Sequence, residues 1–202
     1  MIYFVRHGES IGNVEGIIQG SLDLGLTDKG MEQAGYLSKA LKNKSIEQII
    51  SSPLLRASQT SEILNNEINT QIIFDDRLKE YCYGEAEGKP WEIATTKYGI
   101  QLGAWGLGDI KNEEGPHQFS KRIKSFLNDI QDQYIDQNII CVTHGAVVSR
   151  IACSIMGLDI NIRPHIRVSN TSVMLIDNQS SNFNNELIIM KINDCSHLDA
   201  IN

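Results

Sequence analysis

Short apolar runs alternate along this chain with longer stretches of helical spacing. Ile2–Val5, Gln48–Ser51 and Gln71–Phe74 have strand length, and "IICVT" (Ile139–Thr143) is uninterrupted, as a strand buried on both faces requires. Met31, Ala34, Leu37 and Leu41 recur at helical intervals behind Thr27 or Asp28 as N-cap. Leu54, Ala57, Ser61, Leu64 and Ile68 form a second stripe, with Ser52 as its expected N-cap and Pro53 as the first helical residue. Arg56 falls off that stripe, in the first turn, and so away from the core. A helix over 118–134 precedes the "IICVT" strand, and one with Val147, Ile151 and Ile155 four apart follows it. Two final strands, "TSVMLID" and "ELIIMKI", flank the Asn/Ser-rich "NQSSNFNN", the pattern of a hairpin. Strands alternating with helices predict an α/β fold, a three-layer α/β/α sandwich on a mostly parallel central sheet.

The stretch 75–117 breaks this rhythm with glycines and mixed loop, and its length marks it as a functional cap rather than a simple connection. The 202 residues are long enough for one domain with a real core, expected over 1–202 with that cap inserted. No basic segment followed by an apolar leader opens the chain, and no run approaches the roughly 20 apolar residues of a membrane span, so a cytoplasmic location is expected. A net charge of −7 counts against nucleic acid or an anionic membrane as partner, yet leaves room for a small cationic pocket. The four cysteines show no Cys-x-x-Cys spacing and read as buried thiols.

Two strands end in histidine: Val5-Arg6-His7-Gly8 and Val142-Thr143-His144-Gly145. In open α/β sheets the ligand site lies outside the carboxyl ends of the strands, so both histidines are expected on one rim, with each following glycine letting backbone turn beside the ligand. Arg56, in the first turn after the second strand, has a similar address, where a helix N-terminus would offer free N–H groups. Two arginines, two histidines and helix termini make a pocket for a dianion such as phosphate. Paired histidines also suit a metal, but flanking guanidiniums repel a divalent cation and fork onto phosphate oxygens. "GEAEGKP" imitates a phosphate loop but is one residue short and has Pro in place of Ser/Thr, and "GAWGLG" lacks the dinucleotide-binding order.

These residues resemble the histidine phosphatase superfamily, which has the phosphoglycerate mutase-like fold. "RHGES" matches its Arg-His-Gly-Glu/Thr signature, and Asn13 the Asn of the extended form. "QGSLDLGLTDKG" matches its Gln-Gly segment, "SSPLLRASQT" its Ser-Ser-x-x-x-Arg-Ala-x-x-Thr helix start, and "VTHG" its second histidine. The resemblance implies that His7 is the nucleophile, forming a phosphohistidine, while Arg6, Arg56 and His144 hold the phosphoryl oxygens. It also implies that Glu80 is the general acid, with Glu85 and Glu87 as fallbacks, and that Asn13, Gln19 and Gly20 bind substrate. No cofactor and no metal is implied. A neutral histidine is the competent nucleophile, and neighbouring cations disfavour its protonated form.

The superfamily divides into phosphatases and cofactor-dependent phosphoglycerate mutases. Mutases carry Glu-Arg-His-Tyr-Gly after the acid, where this chain has Glu80-Tyr81-Cys82-Tyr83-Gly84, and no arginine lies between Arg77 and Arg122 to take a substrate carboxylate. Glu87-Gly88 fits the phosphatase pattern, although Ala86 stands in place of its Trp. The expectation is a phosphomonoesterase acting on small phosphate esters, with a mutase as the alternative and a binding module without turnover as the third reading. His117 either lines the pocket mouth or caps the next helix, and Trp91, Tyr98 and Trp105 either wall the substrate or pack beneath the cap. A homodimer stays open.

Overall fold

The computed structural model describes residues 1–100, 105–162, 166–179, 181 and 186–199. Six strands form one sheet: β1 (Ile2–Arg6), β2 (Gln48–Ser51), β3 (Ile72–Phe74), β4 (Ile139–Thr143), β5 (Val173–Asp177) and β6 (Ile188–Asp194). Their order is β3-β2-β4-β1-β5-β6. The first four are parallel and the last two antiparallel, so the sheet is mostly parallel as expected. Part of "GAWGLG" and most of the "NQSSNFNN" loop lie outside the described residues.

The period-two rule sorts the central strands into two cores. Ile2 and Phe4 of β1 and Ile139 and Cys141 of β4 point to one face, where they meet α5 (Pro116–Gln133) and α6 (Gly145–Ile155). Tyr3, Val5, Ile140 and Val142 point to the other, against α2 (Asp28–Leu41) and α3 (Leu55–Ile68). That is the three-layer sandwich. Two short helices complete it, α1 (Ile11–Val14) and α4 (Trp91–Tyr98). No described helix is long and apolar enough to cross a membrane.

Several local expectations change. Thr27 does cap α2, its hydroxyl accepting from Gly30 N at 3.0 Å, but Met31 is exposed and Gly30, Ala34, Leu37, Ser38 and Leu41 form the buried face. α3 starts at Leu55 with Leu54 as N-cap, so Ser52 and Pro53 lie before it. The reason is competition: the Ser52 hydroxyl sits 2.8 Å from His144 Nε2, and Asp23, reaching over from the first loop, accepts from Leu55 N at 2.6 Å. Cys141 and Cys153 are buried free thiols, whereas Cys82 and Cys195 are only half-buried.

Between Phe74 and Pro116 the chain forms two 3-10 turns and α4, and closes over an aromatic cluster. Tyr81 meets Tyr83 edge-on at 4.9 Å and Phe119 at 5.1 Å, and Trp105 is fully buried beside them, so packing beneath the cap is its use. The cap is clipped to the first loop by backbone bonds from Ile18 N to Lys89 O and from Gly88 N to Ile18 O.

The start of α2 abuts the turn after β1 so closely that backbone touches backbone. A Cβ on Gly30 would stand 2.0 Å from Glu9 O, whereas one on Gly35, in the same helix, meets nothing within 4 Å. Urea unfolding should therefore separate the two: Gly30→Ala loses about 2 kcal/mol or more through forced displacement, and Gly35→Ala gains about 0.5–1 kcal/mol through helix propensity.

Candidate active site

β1 and β4 pair in parallel register with Arg6 opposite Thr143, so the residues that follow each strand emerge side by side. His7 and His144 consequently meet with ring centroids 5.2 Å apart, both almost wholly buried. Each ring pairs with a neighbour, and for His7 that neighbour sets the tautomer. His7 Nδ1 lies 2.7 Å from Gly8 O, which can only accept, so Nδ1 carries the proton and Nε2 keeps its lone pair. Ser52 Oγ accepts from Leu54 N at 3.3 Å and can donate its own proton to His144 Nε2, which leaves N–H at Nδ1.

Arg56 is only 1% exposed, although it lies off the apolar stripe of α3. The first loop encloses it: NH1 donates to Leu22 O at 2.7 Å and NH2 to Gly20 O at 2.8 Å. Arg6 donates from NH1 to Val168 O at 2.6 Å. Both guanidiniums are thus steered by carbonyls rather than cancelled by paired carboxylates. Three buried nitrogens, Arg6 Nε, Arg56 Nε and His144 Nδ1, have no hydrogen-bond partner among the described residues. A buried donor left unsatisfied costs about 1–3 kcal/mol, and an oxyanion with several oxygens is the ligand that would satisfy such a set.

Burial holds the His7 imidazole well below its ordinary pKa, helped by the charges of Arg56 and then Arg6. His144 is held down likewise, by burial first and Arg56 next. Desolvation lowers Arg56 to about 10, against an opposing pull from Glu80. Both guanidiniums stay charged at neutral pH while both imidazoles stay neutral.

Arg6, His7 and Arg56 line one cleft of about 760 Å³ together with Asn13, Gln19, Gly20 and Glu80. His144, fully buried, packs against His7 and is not among the residues that line the cleft. All of the site residues expected from sequence are therefore brought together. Asn13 Oδ1 accepts from Ser10 N and from Asn170 Nδ2, Gln19 Oε1 accepts from Ser10 Oγ, and Gly20 contributes its carbonyl to Arg56. Glu80 accepts from Tyr81 N at 2.9 Å and from Ala146 N, at the start of α6, at 3.3 Å. The two fallback carboxylates do other work. Glu85 pairs with Lys111 on the surface, and Glu87 clamps Ser21 and Tyr83 N, tying cap to first loop. His117 is exposed and neither lines the cleft nor caps α5. Trp91 does line the cleft, and Tyr98 packs half-buried on the core.

The two glycines after the histidines play different parts. A Cβ on Gly8 would strike Gly30 O at 2.4 Å, so that glycine serves helix packing rather than a ligand. A Cβ on Gly145 would fall 3.9 Å from Arg6 Nε and 4.0 Å from Glu80 Oε2, so this one does border the site. The expected N–H groups at the start of α3 are partly taken, since Asp23 occupies that of Leu55.

Sequence reasoning missed Ser52, Asn170 and the reason for Thr60. Asn170 Nδ2 donates to His7 O at 3.2 Å and to Asn13 Oδ1 at 3.0 Å, joining the far end of the chain to the first turn. Thr60 Oγ1 accepts from Gly8 N and donates to Arg56 O, locking α3 to the turn that carries His7. A Thr four residues after an Arg was a visible signal for this bond, and Asn170 falls in "SNTSVMLI", a segment near the end of the chain that also resembles the family.

The chain is similar in sequence and fold to known proteins. The chain is 33% identical over 177 residues, 85% of its length and 86% of the relative's, to a Hydrogenobacter thermophilus protein named "Putative phosphoserine phosphatase 2". It is 32% identical over 204 residues, covering 98% of this chain and 95% of the relative, to the Escherichia coli protein named "Probable phosphoglycerate mutase GpmB". Among solved structures, Bacillus stearothermophilus YhfR superposes with a TM-score of 0.84 at 27% identity over 98% of both chains. The Entamoeba histolytica phosphoserine phosphatase in complex with 3-phosphoglyceric acid gives 0.82 at 25% identity, again over 98% of both. The family model for the histidine phosphatase superfamily (branch 1) matches residues 2–189, and the chain belongs to that superfamily.

Proposed function

We propose that this protein is a phosphomonoesterase that hydrolyses small phosphate esters through a phosphohistidine on His7. The observation that carries the reading is the His7 ring: Nδ1 is committed to Gly8 O, Nε2 keeps its lone pair, and two guanidiniums stand beside it. Nε2 attacks phosphorus in line with the ester oxygen, so an N–P bond forms as the P–O bond breaks. Arg6, Arg56 and His144 Nδ1–H take the equatorial oxygens, where charge spreads in the transition state. The Glu80 carboxyl gives its proton to the departing alkoxide. The resulting carboxylate then takes a proton from water, whose oxygen attacks phosphorus, and the N–P electrons return to His7. Glu80 lies close enough to Arg6 and Arg56 to favour their charged forms, consistent with a place beside the phosphate.

The cap supports hydrolysis over transfer. Its flanking arginines are engaged elsewhere, Arg77 with Asp75 and Asp129 and Arg122 with Glu114. Lys29, on the cleft rim, is paired with Glu9 at 2.8 Å. A mutase is the second reading, favoured by Arg167, a rim guanidinium with no ion pair among the described residues, and by the name of the Escherichia coli relative. The names of the relatives point to small hydroxy- or amino-acid phosphates as first substrates to try.

Phosphorus NMR in the presence of EDTA separates the readings. Orthophosphate should appear from phosphoserine and other monoesters, with little 2-phosphoglycerate formed from 3-phosphoglycerate primed with 2,3-bisphosphoglycerate. Rapid 2-phosphoglycerate would make the protein a mutase, and His7→Ala should remove either activity by about 1,000-fold or more.

Glu80→Gln should lower kcat/KM on phosphoserine, which reports the step that expels the alcohol, by about 100-fold, the scale of general acid catalysis. On p-nitrophenyl phosphate the loss should be far smaller, because that leaving group departs without a proton; equal losses on the two esters would remove Glu80 from the role of acid.

The pH profile follows from the depressed His7 pKa. Protonation disables the nucleophile, and a lowered pKa postpones protonation to more acidic solution. The acid limb of kcat/KM, corrected for ionisation of the substrate, should therefore lie below about pH 6.5. Arg56→Gln removes one of the cations responsible and should move that limb upward, which a pH–rate series on the variant would read directly.

A further inference from the structure

After β6 the chain bends back and forms a single 3-10 turn, Ser196–Leu198, packed against α2. This turn lies beyond residue 189, where the match to the family model ends. Leu198 nevertheless lines the same cleft as His7, along with Ile17, Trp91, Ile166 and Val168. Those residues add apolar surface to a cleft that also holds Arg6, His7 and Arg56.

The neighbouring His197 reaches the reacting strand end by two short steps. Its Nε2 lies 3.0 Å from Thr171 Oγ1. The Thr171 hydroxyl proton is directed to Asn170 O at 2.8 Å, so its oxygen accepts and His197 Nε2–H donates. Thr171 in turn gives its backbone N–H to Arg6 O at 3.0 Å and His7 O at 3.2 Å. It does so at φ +54, a conformation that a β-branched residue rarely adopts. Strain of this kind persists where the surroundings over-determine it, and it gathers at working sites. The surroundings here are the Arg6 and His7 carbonyls on one side and the His197 ring on the other.

We propose that the C-terminal turn is a working part of the active site. His197, acting through Thr171, is a positioning residue for the strand end that carries Arg6 and His7, and Leu198 is an apolar wall that limits the size of the leaving group. The chemistry rests on the phosphatase reading above, while the geometry stands apart from it.

The test compares wild type, His197→Ala, His197→Gln and Leu198→Ala on phosphoserine and on 1-naphthyl phosphate, with orthovanadate affinity measured on the same proteins. His197→Ala should lower kcat about tenfold on both esters with little change in KM, the signature of misplaced reacting groups. His197→Gln, whose amide N–H can still donate to Thr171, should recover most of that loss. Leu198→Ala should raise kcat/KM for the naphthyl ester relative to phosphoserine by about fivefold, the worth of space for a few carbon atoms. Equal loss in the Ala and Gln variants, or no loss in either, overturns the role of His197, and an unchanged substrate ratio overturns that of Leu198. Should wild type release phosphate from neither ester, the phosphatase reading falls on its own. The orthovanadate titration then decides the positioning role: weaker binding in His197→Ala that His197→Gln restores supports it, and equal affinities overturn it.

Discussion

Two guanidinium groups confined to one cleft repel each other and lose hydration, and much of the surrounding architecture exists to keep both in place. Pairing each with its own carboxylate would be the cheap solution, but it would cancel the field an anion needs. The chain uses carbonyl oxygens instead. The first loop wraps Arg56 with the carbonyls of Gly20 and Leu22, and the strand-5 approach offers Val168 O to Arg6. Among the described residues, Glu80 is the single carboxylate whose charge acts on both. Once the loop is committed to Arg56 it must be fixed to something, which is why Glu87 clamps Ser21 to the cap and why Asp23 anchors the start of α3. The positive charge in the cleft thus organises loop, cap and helix alike.

The same charge governs the imidazoles. Buried near two guanidiniums, neither ring is favourable as a cation, and each is therefore free to act through the one nitrogen its neighbour leaves over. For His7 the neighbour is a carbonyl and the spare nitrogen is a base. For His144 the neighbour is a hydroxyl that can donate or accept, and the spare nitrogen is Nδ1.

How much of this was legible in the sequence depended on whether the cause was local. Uninterrupted apolar runs revealed β1 and β4, and their parallel pairing put His7 and His144 on one rim by topology alone. Arg56 was read as lying off the helix stripe and away from the core, yet it is buried along with Ala57, Thr60, Ser61 and Leu64. Its burial was not readable, since the covering loop belongs to residues 16–25, and a helical wheel contains no information about another segment. Ser52 was misread as a cap because its hydroxyl has a stronger claim from His144, 92 residues away. Glu87 looked like an acid for want of the knowledge that Ser21 stands opposite. Asn170 and Thr171 lie in "SNTSVMLI", a stretch that resembles the family, but their roles and that of His197 were not readable, because they reach the site through the antiparallel edge of the sheet that brings β5 beside β1. The cap resisted reading because its order comes from tyrosine and tryptophan packing rather than from any period.

The position of β1 has a consequence for how the molecule comes into being. β1, which leads into Arg6 and His7, pairs with β4 and β5, whose residues follow it by more than 130 positions. Its amino terminus is held by Gln137 and Asn138. On the ribosome this apolar segment waits without either neighbour until nearly the whole chain has emerged, and closure of so long a loop is slow. The strand end that brings His7 to His144 and Thr171 therefore takes shape late, and a chain interrupted before β5 carries the arginine–histidine pair without the neighbours that hold it.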